Sequence, residues 1–132
     1  MRTAFTASLI LMAACGFLAE SAFAGGDPAK GEALFKRSCQ ACHTVQGTQN
    51  RVGPYLAGLS GRPIASAEKY RYTPAMLDFA ATHDVWTAEL LAEYLQNPRA
   101  MVPKTRMAFA GIRDAADAQD LAAYLESLPP AK

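Results

Sequence analysis

The sequence predicts a single all-α domain, and three observations carry that prediction. Apolar residues recur at helical spacing, most clearly Leu121, Tyr124, Leu125 and Leu128 at i, i+3, i+4 and i+7. Residues that start and stop helices bracket each periodic stretch, and no segment alternates convincingly as a half-buried strand would. With 132 residues and neither a repeat nor a linker, the chain has room for one domain.

The first 24 residues are expected to be a cleaved signal peptide outside that domain. Arg2 precedes an apolar run from Ala4 to Ala19, and Ala22-Phe23-Ala24 offers small residues where a signal peptidase reads. The run is too short, and its exit too polar, for a membrane span. Met12-Ala13-Ala14-Cys15-Gly16 loosely resembles a lipoprotein signal that would acylate Cys15. The run continues past Cys15 and a clean site follows, which favours simple cleavage after Ala24 and a periplasmic location. The domain is then residues 25–132, with Cys39 and Cys42 as its two cysteines.

The elements follow in order. Asp27 caps a helix with Pro28 at its first position, running to about Ser38, with Gly31, Leu34, Phe35 and Ser38 on one face. Gly31 costs a helix about 1 kcal/mol against alanine, which makes sense if another helix crosses closely there. From Thr44 to Arg62 glycines and prolines are too frequent for a regular element. Thr73-Pro74 starts a short helix through about Ala80. Thr87 caps a stronger one, Ala88 to Gln96, with Leu90, Leu91, Tyr94 and Leu95 inward and Asn97-Pro98 ending it. An extended stretch from Val102 to Ile112 precedes the last helix, capped by Asp114 and stopped by Pro129-Pro130.

Cys39-Gln40-Ala41-Cys42-His43 reads C-x-x-C-H, the attachment pattern of a c-type haem: two thioethers and a histidine able to ligate iron. A thioredoxin-type pair would follow a strand in a βαβ setting, and none is evident. Cys39, Cys42, His43 and His83 meet the count for a structural zinc, but Cys42 and His43 are adjacent and poorly placed to share a tetrahedral ion. Chance occurrence of the pattern is a further alternative. For a sixth ligand the candidates are Met76, Met101, Met107 and His83. Met107 lies between Pro103 and Gly111, where a loop can point a thioether inward; Met76 and Met101 read as core filler. His83, beside Asp84, reads as exposed and inert.

Taken together, residues 25–132 resemble a class I cytochrome c of the mitochondrial type, including its bacterial relatives. The resemblance implies the cytochrome c fold, four to five helices and long loops around one covalent haem c with its iron. It sets Gly31 and Phe35 of the first helix against Leu121 and Tyr124 of the last. Val52-Gly53-Pro54-Tyr55-Leu56 is similar to the segment whose proline carbonyl holds the ligand histidine, giving Pro54 that role toward His43. Arg62, Tyr72 and Trp86 match residues near the haem propionates, and Tyr94 and Leu95 the helix over the methionine side. Met107-Ala108-Phe109-Ala110-Gly111 resembles the axial-methionine signature, so the metal ligands implied are His43 and Met107. Four departures stand out: Lys104 where the family usually has glycine, Met76 where many members carry asparagine, a connection from Tyr72 to Trp86 a few residues longer than in mitochondrial members, and Ser38 in place of a lysine.

The implied function is a soluble one-electron carrier, not an enzyme, serving respiratory or photosynthetic complexes or a periplasmic dehydrogenase and an oxidase. Its rivals are a haem peroxidase or ligand sensor with an open sixth position, and a non-redox lipoprotein or zinc-binding module. The sequence offers no distal histidine–arginine pair for a peroxidase. Net charge is +1, which gives nucleic acid no handle. The distribution is polarised: the segments between Glu32 and Glu68 and between Glu93 and Asp114 hold arginines and lysines and no acid. They predict redox partners with acidic docking patches. Nothing suggests a dimer, so a monomer is expected.

Overall fold

The computed structural model describes residues 25–132. The expected signal peptide, its cleavage after Ala24 and the alternative at Cys15 lie outside the described residues. Five helices follow in order: α1 Pro28–Ser38, α2 Pro74–Thr82, α3 Ala88–Gln96, α4 Pro98–Met101 and α5 Ala115–Glu126. Among the described residues the only extended pairing is a single antiparallel bridge, Pro63 with Val85. The all-α expectation holds.

Each helix begins where a side chain can replace the missing backbone acceptor. The Asp27 carboxylate accepts from Ala29 N at 2.9 Å, and the Asp114 carboxylate from Ala116 N at 2.8 Å. Thr73 and Thr87 hydroxyls each accept from the amide three residues on, at 3.2 Å. α2 runs two residues past the expected Ala80, to Thr82. There the Thr82 hydroxyl and the His83 ring both bond the Phe79 carbonyl, at 3.0 and 3.1 Å. Asn97-Pro98 ends α3 as expected, but the Asn97 side chain accepts from Ala100 N at 3.2 Å and starts α4.

α1 and α5 cross where α1 has no side chain. Gly31 is buried against α5, and a Cβ there would overlap the Asp120 carbonyl oxygen. The close approach lets the Phe35 ring reach Tyr124 at 5.6 Å between centroids. Leu121, fully buried, packs in the same core as Leu34, Phe35 and Leu125; each such side chain contributes about 1.5–3 kcal/mol through area removed from water. A second tie is polar. Asp120, the one buried charged residue among those described, accepts from Asp27 N at 2.6 Å. That carboxylate binds the start of α1 to the middle of α5. The Glu32–Lys36 ion pair is 2.7 Å long but exposed on α1 and contributes little.

α3 packs on α5 and brings Leu91 and Leu95 into the core. Phe79 of α2, Trp86 and Tyr94 form an aromatic cluster with ring centroids 5.2 to 6.2 Å apart. The loops hold their shape through backbone bonds: Trp86 N to Arg62 O at 3.1 Å, Gly61 N to Trp86 O at 2.8 Å, and Ile112 N to Leu95 O at 2.8 Å.

Replacing Gly31 tests the crossing. Gly31→Ala must push α1 off α5 and is expected to lower the unfolding free energy by about 2 kcal/mol, read by denaturant unfolding; an unchanged midpoint would refute the close contact.

Candidate haem site

The C-x-x-C-H residues leave the end of α1 in a tight turn. Cys39 N and Gln40 N both bond the Phe35 carbonyl, at 2.8 and 3.0 Å, and Cys42 N and His43 N both bond the Cys39 carbonyl at 3.0 Å. Cys39 and Cys42 are half-buried and free of any disulfide. Burial, with Cys42 alongside, pushes the Cys39 thiol up to about 11. A thiol-exchange pair needs the opposite, a thiolate stabilised near neutrality, so the redox-pair reading has no support here.

His43 is held by its neighbours. Its Nδ1 lies 2.8 Å from the Pro54 carbonyl oxygen; a carbonyl can only accept, so Nδ1 carries the proton and Nε2 keeps its lone pair. Burial pushes the imidazole below its usual range while the Pro54 bond opposes that shift. Gly53 lies flat against the ring, where a Cβ would overlap His43 Cε1. Cys42 O accepts from Gly53 N at 2.8 Å, closing the loop back on the motif. The result is an imidazole fixed in orientation, with Nδ1 committed to Pro54.

Arg62 presents a donor set suited to an anion. Its Nη1 and Nη2 donate to the Ala57 and Tyr55 carbonyls at 3.0 and 2.9 Å, and its guanidinium sits 4.6 Å from the centre of the Tyr55 ring. Nε is buried with no partner. Desolvation lowers its pKa, with Tyr55 and Tyr72 acting the other way. Tyr72 accepts from Ala67 N at 3.1 Å and keeps its own hydroxyl proton to donate. A carboxylate would take both free donors, and a buried cation next to an unfilled donor otherwise costs stability. The donor set fits a propionate.

The remaining predicted residues fall around the same core. Trp86 and Tyr94 are buried, and burial pushes the Tyr94 hydroxyl up to about 12, with the Thr105 side chain acting in the opposite direction. Met107, half-buried, packs against the core that also holds Cys39. Its N–H donates to the Thr105 hydroxyl at 3.2 Å, and Arg106 Nη2 reaches the Arg71 carbonyl at 2.5 Å. Met76 and Met101 also pack against that core, as filler does. His83 departs from expectation. It is half-buried, stacked on Phe79 at 4.2 Å between centroids. An open groove of about 630 Å³ between α2 and Met101, Pro103 and Lys104 is lined by His83 but by none of Cys39, His43 or Met107.

Lys104 answers one question the sequence raised. Its φ is 65°, the left-handed conformation that glycine adopts freely. The loop turns left-handed at this position, and the lysine carries the strain.

These features define a helical domain whose two motif cysteines are placed for covalent attachment of a haem, beside a histidine tethered to Pro54. The chain belongs to the cytochrome c family, whose profile spans residues 28–129. It is 45% identical over 101 residues to cytochrome c-550 of Ancylobacter novellus, covering 76% of this chain and 94% of that one. It is 46% identical over 104 residues to cytochrome c of Gibberella zeae, covering 78% and 95%. Against cytochrome c2 of Afifella marina the identity is 47% over 92 residues, covering 69% and 74%. The cofactor is therefore one haem c with its iron, bound covalently through Cys39 and Cys42, and the protein carries electrons and is not an enzyme.

Two substitutions test the geometry. Gly53→Ala forces the His43 ring aside and is expected to weaken its bond to Pro54, read as a shifted reduction potential; an unaltered potential and spectrum would contradict the contact. Lys104→Gly removes left-handed strain worth about 1 kcal/mol and is expected to raise the denaturation midpoint. A lowered midpoint would place the strain elsewhere.

Proposed function

We propose that His43 and Met107 are the axial ligands, retained in ferrous and ferric states alike. The observation that carries this reading is the 2.8 Å bond between His43 Nδ1 and the Pro54 carbonyl, which leaves Nε2 as the ligating atom. Met107 is supported by its loop, which runs from Pro103 to Gly111 and is tied to α3 at its far end through Ile112 N and Leu95 O. When bound, the haem supplies a one-electron Fe(II)/Fe(III) couple, and a methionine ligand favours the ferrous state relative to a second histidine. The protein's own part is static. His43 holds one orientation through Pro54 and Gly53, Arg62 and Tyr72 neutralise a propionate, and Trp86 and Tyr94 keep the pocket apolar. With His43 and Met107 as its ligands, the iron would have no open position for a substrate.

Export follows from the expected signal peptide, and a periplasmic site agrees with two cysteines committed to thioethers. Among the described residues no helix is long and apolar enough to cross a membrane. Arg99, Lys104, Arg106 and Arg113 are exposed along the Met107 side, which supports steering toward redox partners bearing acidic patches. A monomer suffices for this role.

Met107→Ala is expected to abolish the weak far-red band of the oxidised protein, open the iron to small ligands and lower the potential. A mutant with the band and potential intact would move ligation to another residue. Electron transfer to an acidic partner is expected to slow as salt rises over the range where surface charges are screened; a salt-independent rate would remove the docking role.

A further inference from the structure

We infer that Asn50 is a positioning residue for the axial histidine, acting through the Pro54–Tyr55 peptide. The Pro54 carbonyl that accepts from His43 and the Tyr55 N–H belong to one peptide unit. That N–H donates to Asn50 Oδ1 at 3.1 Å, while Pro54 O receives His43 Nδ1 at 2.8 Å. The peptide is thus gripped at both ends. Asn50 is gripped in turn, its Nδ2 donating to the Glu68 carbonyl at 2.7 Å. The amide orientation is fixed by these partners, since Tyr55 N can only donate and Glu68 O can only accept. A continuous chain results: Glu68 C=O, Asn50 amide, Pro54–Tyr55 peptide, His43 imidazole.

Hydrogen bonds in such a chain polarise one another. An acceptor on the Tyr55 N–H shifts electron density toward the Pro54 oxygen and makes it a better acceptor for His43 Nδ1–H. The imidazole gains anionic character and donates more strongly through Nε2. Stronger donation favours ferric iron, so Asn50 holds the potential down. Other bonds hold the same loop, Tyr70 hydroxyl to Val52 O at 3.1 Å and Arg51 N to Gly53 O at 2.9 Å. Neither touches the Pro54–Tyr55 peptide. Asn50 alone among these residues acts on the unit that His43 uses.

The test uses the haem-loaded protein with Asn50→Ala and Asn50→Asp. The readouts are the reduction potential and, in the reduced state, the NMR shift and exchange rate of the His43 Nδ1 proton. Asn50→Ala removes the acceptor and is expected to shift the potential upward and speed exchange of that proton. Asn50→Asp keeps a stronger acceptor and is expected to shift the potential downward and slow exchange. A residue that merely staples the loop to Glu68 predicts a lower melting temperature in both variants with the potential and the proton unmoved, and that result would overturn the inference. If Asn50→Ala does not fold, an exchange rate in Asn50→Asp equal to or faster than wild type overturns it. The inference rests on His43 as a ligand: a wild-type protein lacking a protected Nδ1 proton defeats both readings, whereas a normal wild type with insensitive variants defeats this one alone.

Discussion

An imidazole can present one nitrogen to a metal in a fixed direction only if something holds the other, and here the Pro54 carbonyl holds His43 Nδ1 at 2.8 Å. Most of the loop between α1 and α2 serves that bond. Gly53 must lack a side chain so that the ring can lie against it. Gly53 N must bond Cys42 O so that the loop and the motif close on each other, and Thr44 O must receive Leu56 N at 2.7 Å to fasten the loop's far side. None of these bonds is individually strong, since a typical one contributes about 1 kcal/mol net. Their value is geometric.

The helices supply the frame that this loop needs. α1 delivers Cys39 from its last turn, so any shift of α1 moves the attachment point. The crossing with α5 prevents such shifts by two independent means, the glycine contact at Gly31 and the Asp120 carboxylate on Asp27 N. On the other side, α3 and the bond between Ile112 and Leu95 fix the end of the Met107 loop. The loop before α2 also carries Arg62, whose Nε has no protein partner, and Tyr72, whose hydroxyl accepts from Ala67 N. A domain of residues 25–132 is a modest one for burying a core, and Phe79, Trp86 and Tyr94 add an aromatic cluster to it.

Where the sequence could be read, local chemistry was responsible. Asp27-Pro28 and Thr87 mark the starts of α1 and α3 because caps act within three residues, and the C-x-x-C-H spacing is itself the attachment geometry. α4 was missed because Asn97-Pro98 reads as a stop, while the same asparagine side chain caps the next turn. The stacking of His83 on Phe79 and the partners of Arg62 lie within a few residues but in irregular turns that no cap or periodicity marks, and the Asn50 bond to Glu68 joins residues brought together by folding. Lys104 sits between these cases: its departure from glycine was visible, and only the structure shows that the loop keeps the left-handed turn.

The central claim is a six-coordinate iron with His43 on one face and Met107 on the other, and proton NMR of the reduced protein tests it most directly. A methionine methyl held over the porphyrin resonates far upfield through the ring current. With methyl-labelled methionine, the account predicts one such resonance, lost in Met107→Ala and kept in Met76→Ala and Met101→Ala. An upfield methyl that survives Met107→Ala, or none in the wild type, would contradict it.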